Sequence, residues 1–118
     1  MEYTPDTWVM LKITTQTYTV YKILAGWTGG FTSGDSWKLN SGCIKVEKTG
    51  DTLVFTGASG STYCVYPNAY RLSLTTSAIL RTFQESVQNT GIEIEMLPEN
   101  TDWLTLDYSN IKELGELL

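Results

Sequence analysis

Residues 36–67 read SWKLNSGCIKVEKTGDTLVFTGASGSTYCVYP, and this stretch decides the fold class. Ser36 to Lys48 predicts one long strand. Gly42 falls inside it and marks a sharp bend or bulge, because an interior glycine has no side chain to hold the pleat. Thr49-Gly50-Asp51 predicts a hairpin turn, and Thr52 to Thr56 the next strand, centred on Leu53-Val54-Phe55. Gly57-Ala58-Ser59-Gly60 turns the chain again, Ser61 to Tyr66 forms another strand, and Pro67 ends it.

Working outward, Trp8 to Ile13 and Thr17 to Ala25 are rich in strand formers, with Thr14-Thr15-Gln16 as a short connection between them. In the second run Tyr18, Val20, Lys22 and Leu24 share one face. Gly26 to Asp35 is a glycine-rich loop carrying Trp27 and Phe31, which are expected to fold back as core plugs. A further short piece is expected around Ala69 to Leu72. Short strands at this spacing indicate an antiparallel sandwich or barrel, and a bent strand favours a small closed barrel.

Beyond residue 72 the pattern changes. Thr75 or Thr76 is expected to cap a helix running to about Asn89, with Ile79, Leu80, Phe83 and Val87 at helical spacing and Gly91 as the stop. Ile92, Ile94 and Met96 alternate with Glu93 and Glu95 as a half-buried strand. Trp103, Leu104, Leu106 and Tyr108 suggest one more strand, and Ile111, Leu114, Leu117 and Leu118 a short terminal helix. The expected fold is therefore mainly β with one or two helices, as a single domain over residues 1–118. A bent five-stranded antiparallel barrel spans about 7–72, and an acidic helix-strand extension spans about 73–118.

Composition narrows the function. With 42% apolar and 18% charged residues in 118, the chain can bury a core. No apolar run reaches the roughly 20 residues that cross a bilayer, so no membrane partner is expected. The acidic start, Met1 to Asp6, predicts no secretory leader; the expected location is cytoplasmic. The formal charge of −5 argues against sequence-blind binding to duplex DNA. The acid concentrates after Gly91, in Glu93, Glu95, Glu99, Asp102, Asp107, Glu113 and Glu116, so contact with a polyanion falls to the earlier part of the chain.

There is no histidine, which removes the commonest general acid/base and transition-metal ligand. Cys43 and Cys64 are too few for a disulfide framework and are expected as reduced, partly buried thiols. Glu93 and Glu95 share a strand face, where paired carboxylates hold a cation or move protons, but the solvated side of an amphipathic strand accounts for them as well. Gly57 to Ser61 lacks the lysine and following helix of a phosphate-binding loop, and no base stands ready to activate a serine. No enzyme, cofactor or metal site is expected. Trp27, Trp37, Lys38, Tyr63 and Tyr66 are instead candidates for base stacking.

The stretch from Gly26 to Leu72 resembles Sm-like small β-barrels. Ser41-Gly42-Cys43-Ile44-Lys45-Val46, the turn with Asp51, and Leu53-Val54-Phe55 follow the order of bacterial Sm-like RNA chaperones. Ser61 to Ala69 resembles their last hairpin. Asp35 with Leu39-Asn40 is similar to the first Sm motif at a spacing one residue longer. Ser59-Gly60-Ser61 is similar to the second, with serine where arginine or lysine is usual. The blocks Trp27 to Gly30, Asp35 to Gly42 and Gly60 to Tyr63 look more specifically like small uncharacterised Sm-like proteins carried by cyanophages.

The resemblance implies a barrel whose edge strands pair between copies into a homo-oligomeric ring. It further implies a pore that holds single-stranded RNA through Trp37, Asn40, Ser59, Gly60 and Ser61. The alternative is a phage structural or protein-interaction module without a nucleic-acid ligand. For a phage-encoded protein the expected cytoplasmic location is that of the host cell.

Overall fold

Thr7–Thr14 (β2) is the strand around which the molecule is built. Trp8, Val9, Met10 and Leu11 are each fully buried, so both faces of this strand are covered. A strand that reads as a continuous apolar run needs a layer on each side, and the computed structural model, which describes residues 1–29 and 34–109, supplies both.

The remaining elements are β1 (Glu2–Tyr3), β3 (Thr19–Trp27), β4 (Ser36–Leu39), β5 (Cys43–Thr49), β6 (Thr52–Gly57), β7 (Thr62–Val65), a 3₁₀ turn (Pro67–Ala69), α1 (Leu74–Ser86) and β8 (Glu93–Met96). They form two four-stranded sheets, ordered β1-β7-β6-β5 and β4-β3-β2-β8. The protein is thus mainly β with one α-helix among the described residues. The five strands expected to close on themselves are instead parts of two packed sheets, with no closed barrel among the described residues. The terminal helix expected over residues 111–118 and the Phe31 plug lie outside the described residues.

Register explains the layers. Trp8 pairs with Ala25 and Met10 with Ile23, so these residues share the face turned toward the other sheet. There Trp8 packs on Phe55 at 5.7 Å between ring centroids, and on Tyr70 and Trp103 at 4.7 and 5.3 Å. Its indole N–H donates to the Tyr66 carbonyl at 2.8 Å, which fixes the end of β7 against β2. The opposite face carries Val9, Leu11 and Gly26 and is covered by α1. A Cβ on Gly26 would lie 3.1 Å from Thr76 of that helix and 2.9 Å from Thr7.

Several local expectations are corrected. Ser36 to Lys48 is two strands, because the chain leaves one sheet at Leu39 and joins the other at Cys43. A register shift between Cys43 and Lys45 follows at once. The helix is capped by Ser73. Its hydroxyl accepts from the Thr76 N–H at 3.0 Å while the Ser73 N–H donates to the Thr76 hydroxyl at 2.8 Å, a reciprocal box that Thr75 or Thr76 as caps would lack. The helix ends at Ser86, before Asn89 (φ 64°) and Gly91 (φ 82°) reverse the chain.

Trp103 to Tyr108 forms turns, since Asp102 and Asp107 accept from the N–H groups two residues ahead. This segment closes one end of the core: Tyr108 lies 5.5 Å from Tyr21 and 6.5 Å from Phe55. Strand β1, which no local pattern announces, pairs in parallel with β7.

Candidate nucleic-acid interface

The corner at residues 40–42, where the chain passes from one sheet to the other, builds the site. Asn40 is 4% exposed. Its side-chain oxygen accepts from the Ile23 N–H at 2.8 Å while its own N–H donates to the Ile23 carbonyl at 3.0 Å. The side-chain amide donates onward to Cys43 Sγ at 3.4 Å. Asn40 therefore takes the place of a ladder partner for β3 and pins the start of β5. Among the described residues every buried side-chain nitrogen and oxygen has such a partner.

Within this corner, Ser41 reaches to the β6–β7 turn. Its hydroxyl accepts from the Ser59 N–H at 2.9 Å and lies 3.2 Å from the Ser59 hydroxyl. Gly57 permits this approach, because a Cβ there would stand 2.7 Å from Ser41 Oγ. Gly60 completes the turn at φ 94°. The Ser61 carbonyl accepts from the Gly57 N–H at 2.8 Å.

A cleft of about 230 Å³ opens beside these contacts. It is lined by Ser41, Ser59 and Ser61 together with Tyr3, Lys38, Tyr63 and Asn40. Lys38 holds its ammonium 5.2 Å from the centroid of the Tyr3 ring. That ring lies 5.0 Å from Tyr63 at 32° and 6.2 Å from Trp27 in an edge contact. Tyr63 is 2% exposed, and burial, with the neighbouring Tyr3 and Cys43, pushes its phenol up to about 12, so it is neutral at ordinary pH. Burial likewise pushes the Cys43 thiol up to about 12, against the smaller opposing effect of its hydrogen bonds. Both cysteines are free, Cys43 buried and Cys64 half-buried.

Asn40, Ser59, Gly60 and Ser61 are thus brought together, and Trp37 is not. Neighbouring residues of a strand point to opposite faces, so β4 sends Lys38 to the cleft and Trp37 to the helix layer. There the Trp37 ring packs on Phe83 at 5.8 Å and keeps 41% of its surface exposed. Trp27 packs against the core, with its indole N–H donating to the Thr4 carbonyl at 3.2 Å. Tyr66 is 46% exposed and belongs to a separate cleft with Lys48 and Asn68. Ser41 and Tyr3 are cleft residues that sequence reasoning missed; Tyr3 had no local signal. Its strand is two residues long and its partner lies some sixty residues away.

Chemically the cleft offers one ammonium, the half-buried Tyr3 ring and three serine hydroxyls. That is a set for holding an anion and a flat ring. No group of three or more Cys, Asp or Glu side chains that could hold a metal ion occurs among the described residues. Compared with protein-family models, with curated proteins and with solved structures, the chain matches nothing.

Proposed function

We propose that the protein is a non-enzymatic module that binds single-stranded RNA at the corner cleft, in the manner of Sm-like proteins. The observation that carries this reading is Lys38 poised over the Tyr3 ring beside the hydroxyls of Ser41, Ser59 and Ser61. An ammonium takes a phosphate, an aromatic face takes a base, and the hydroxyls reach sugar and phosphate oxygens. Gly60 lets the turn approach the backbone closely. Asn40 positions Ser41 and is not itself a contact.

Copies assemble through β4 and β5, the outer strands that flank the corner, so that successive clefts face a common pore. Among the described residues each of these strands has a partner on one side only, which is the state that self-pairing relieves.

The test is titration of a labelled oligouridylate at low salt, read by anisotropy, together with native mass by sedimentation. Binding should weaken as salt rises, with the shallow slope of about −0.7 per phosphate contacted that one or two cations produce. Lys38→Ala should abolish most of it. Absence of binding at low salt, or binding indifferent to Lys38→Ala, overturns the RNA reading. A monomer at micromolar concentration overturns the assembly.

A further inference from the structure

We propose that the open edge of β8, with the groove between it and α1, binds an extended segment of a partner protein in which basic and apolar residues alternate. The site and the partner are independent of the RNA-binding cleft.

The backbone of β8 is half used. The Leu97 N–H donates to the Met10 carbonyl at 2.9 Å, which sets the phase of the antiparallel ladder with β2. By the alternation of such a ladder, Glu93 and Glu95 turn their backbone groups to β2, and Ile94 and Met96 turn theirs outward. No strand lies on that outward side among the described residues. One of its acceptors, the Ile94 carbonyl, is covered instead by a side chain, with the Gln84 amide of α1 donating to it at 3.0 Å. A long amide on a helix surface is a removable cover, unlike a paired strand.

Alongside this edge runs a groove of about 540 Å³. Its apolar wall is Val87, Ile92 and Ile94. Ile94 pairs with Ile13 and Met96 with Leu11, so these side chains lie on the face that α1 covers. Glu93 and Glu95 lie on the other face, both exposed, with Lys12 opposite Glu95 and Thr14 opposite Glu93. The only ion pair among the described residues, Lys45 with Glu47, is elsewhere, so neither carboxylate is neutralised by direct contact.

A strand laid against β8 sends alternate side chains to these two faces. Those on the α1 side meet Val87, Ile92 and Ile94, and those on the other meet the carboxylates. Cross-strand neighbours of opposite charge stabilise such a pair and like charges oppose it. Backbone hydrogen bonds supply affinity and the alternating pockets supply selectivity. Charge complementarity therefore calls for lysine or arginine at every second position, with valine, isoleucine or leucine between.

The experiment uses the full chain and a fluorescein-labelled peptide of four lysines alternating with three valines, followed by anisotropy at moderate salt. A peptide of the same composition with the lysines in one block is the control for charge alone. Methylating the amide nitrogens of one alternate set of residues should abolish binding, and methylating the other set should not, because only one set faces β8. Glu93→Lys with Glu95→Lys should weaken binding roughly tenfold or more. Gln84→Ala should strengthen it by freeing the Ile94 carbonyl, and Lys38→Ala should leave it unchanged. Equal binding of the block peptide, or equal effects of the two methylated sets, overturns strand addition. A native mass above the monomer that falls with the Glu93→Lys, Glu95→Lys variant would assign the edge to a second copy of this chain and overturn the proposal.

Discussion

Replacing Asn40 by alanine separates the two roles that residue could have. In the structure its carboxamide satisfies the Ile23 N–H at 2.8 Å and contacts Cys43 Sγ at 3.4 Å, in a position 4% exposed. Alanine leaves the Ile23 donor buried and unpaired, which costs about 1–3 kcal/mol. Loss of the weak bond to sulfur and of the amide's packing adds about 1 kcal/mol. The expected destabilisation is about 2–4 kcal/mol, a large share of the roughly 5–15 kcal/mol that holds a domain folded.

In a chain of this length that lowers Tm by roughly 8–16 °C. It also moves the urea midpoint down by about 1–3 M at unchanged slope. Tryptophan fluorescence reports the transition, because Trp8 and Trp103 sit in the core. Measured well below the new Tm, RNA affinity and its salt slope should be close to wild type, since the proposed phosphate contact is Lys38 and not Asn40. Ser41→Ala, at an exposed residue, is the comparison and should cost under about 1 kcal/mol. A variant with unaltered stability and lost RNA binding would refute the reasoning, because it would make Asn40 a ligand contact rather than the bracket of the corner.

Gly26→Ala should destabilise by about 1–3 kcal/mol in urea titrations, because the new methyl meets Thr7 Oγ1 at 2.9 Å and Thr76 Cγ2 at 3.1 Å between two packed layers. Base-induced unfolding should begin near pH 9. Cys43 ionises at about 9 when unfolded and about 12 when folded, so its contribution is complete below pH 9 and declines by about 1.4 kcal/mol per pH unit up to about 12. Cys43→Ala should flatten that limb of a pH–stability curve, with Tyr63 and Tyr70, both pushed up to about 12, sustaining the decline from about pH 10. An Ellman titration should count one thiol promptly, the half-buried Cys64, and both after denaturant is added; two fast thiols would contradict the burial of Cys43.

What could be read in advance follows the range of the interaction that decides each element. The β5–β6–β7 meander was legible because its signals are local. β6 and β7 alternate, and Gly50 sits at the first central position of a two-residue turn with φ 60°, which a type II′ hairpin requires. The division of residues 36–48 was not legible, because it depends on Asn40 bonding to Ile23, seventeen residues earlier. The segment from Trp103 to Tyr108 has strand-like composition, yet Asp102 and Asp107 bend it by bonding their own backbone. Composition reported what that segment buries, and the two aspartates reported its shape.

The cleft shows the same division at finer grain. That Trp37 and Lys38 must point to opposite faces follows from strand periodicity alone, so both could never have served one site. Which of the two faces the corner is decided by pairing of Gly26 with Trp37 and Ala25 with Lys38, and by the helix lying on the Gly26 side. A helix can approach Gly26 because it has no side chain, and the Trp37 indole fills the space beside it against Phe83. Lys38 is then left on the side of Tyr3 and the serines. The register of β3 with β4, with Gly26 opposite Trp37 and Ala25 opposite Lys38, thus sets which side of β4 carries the one ammonium that lines the cleft among the described residues. Gly26→Ala, beyond its cost in stability, should shift α1 outward and loosen Trp37 while leaving the Lys38–Tyr3 contact in place.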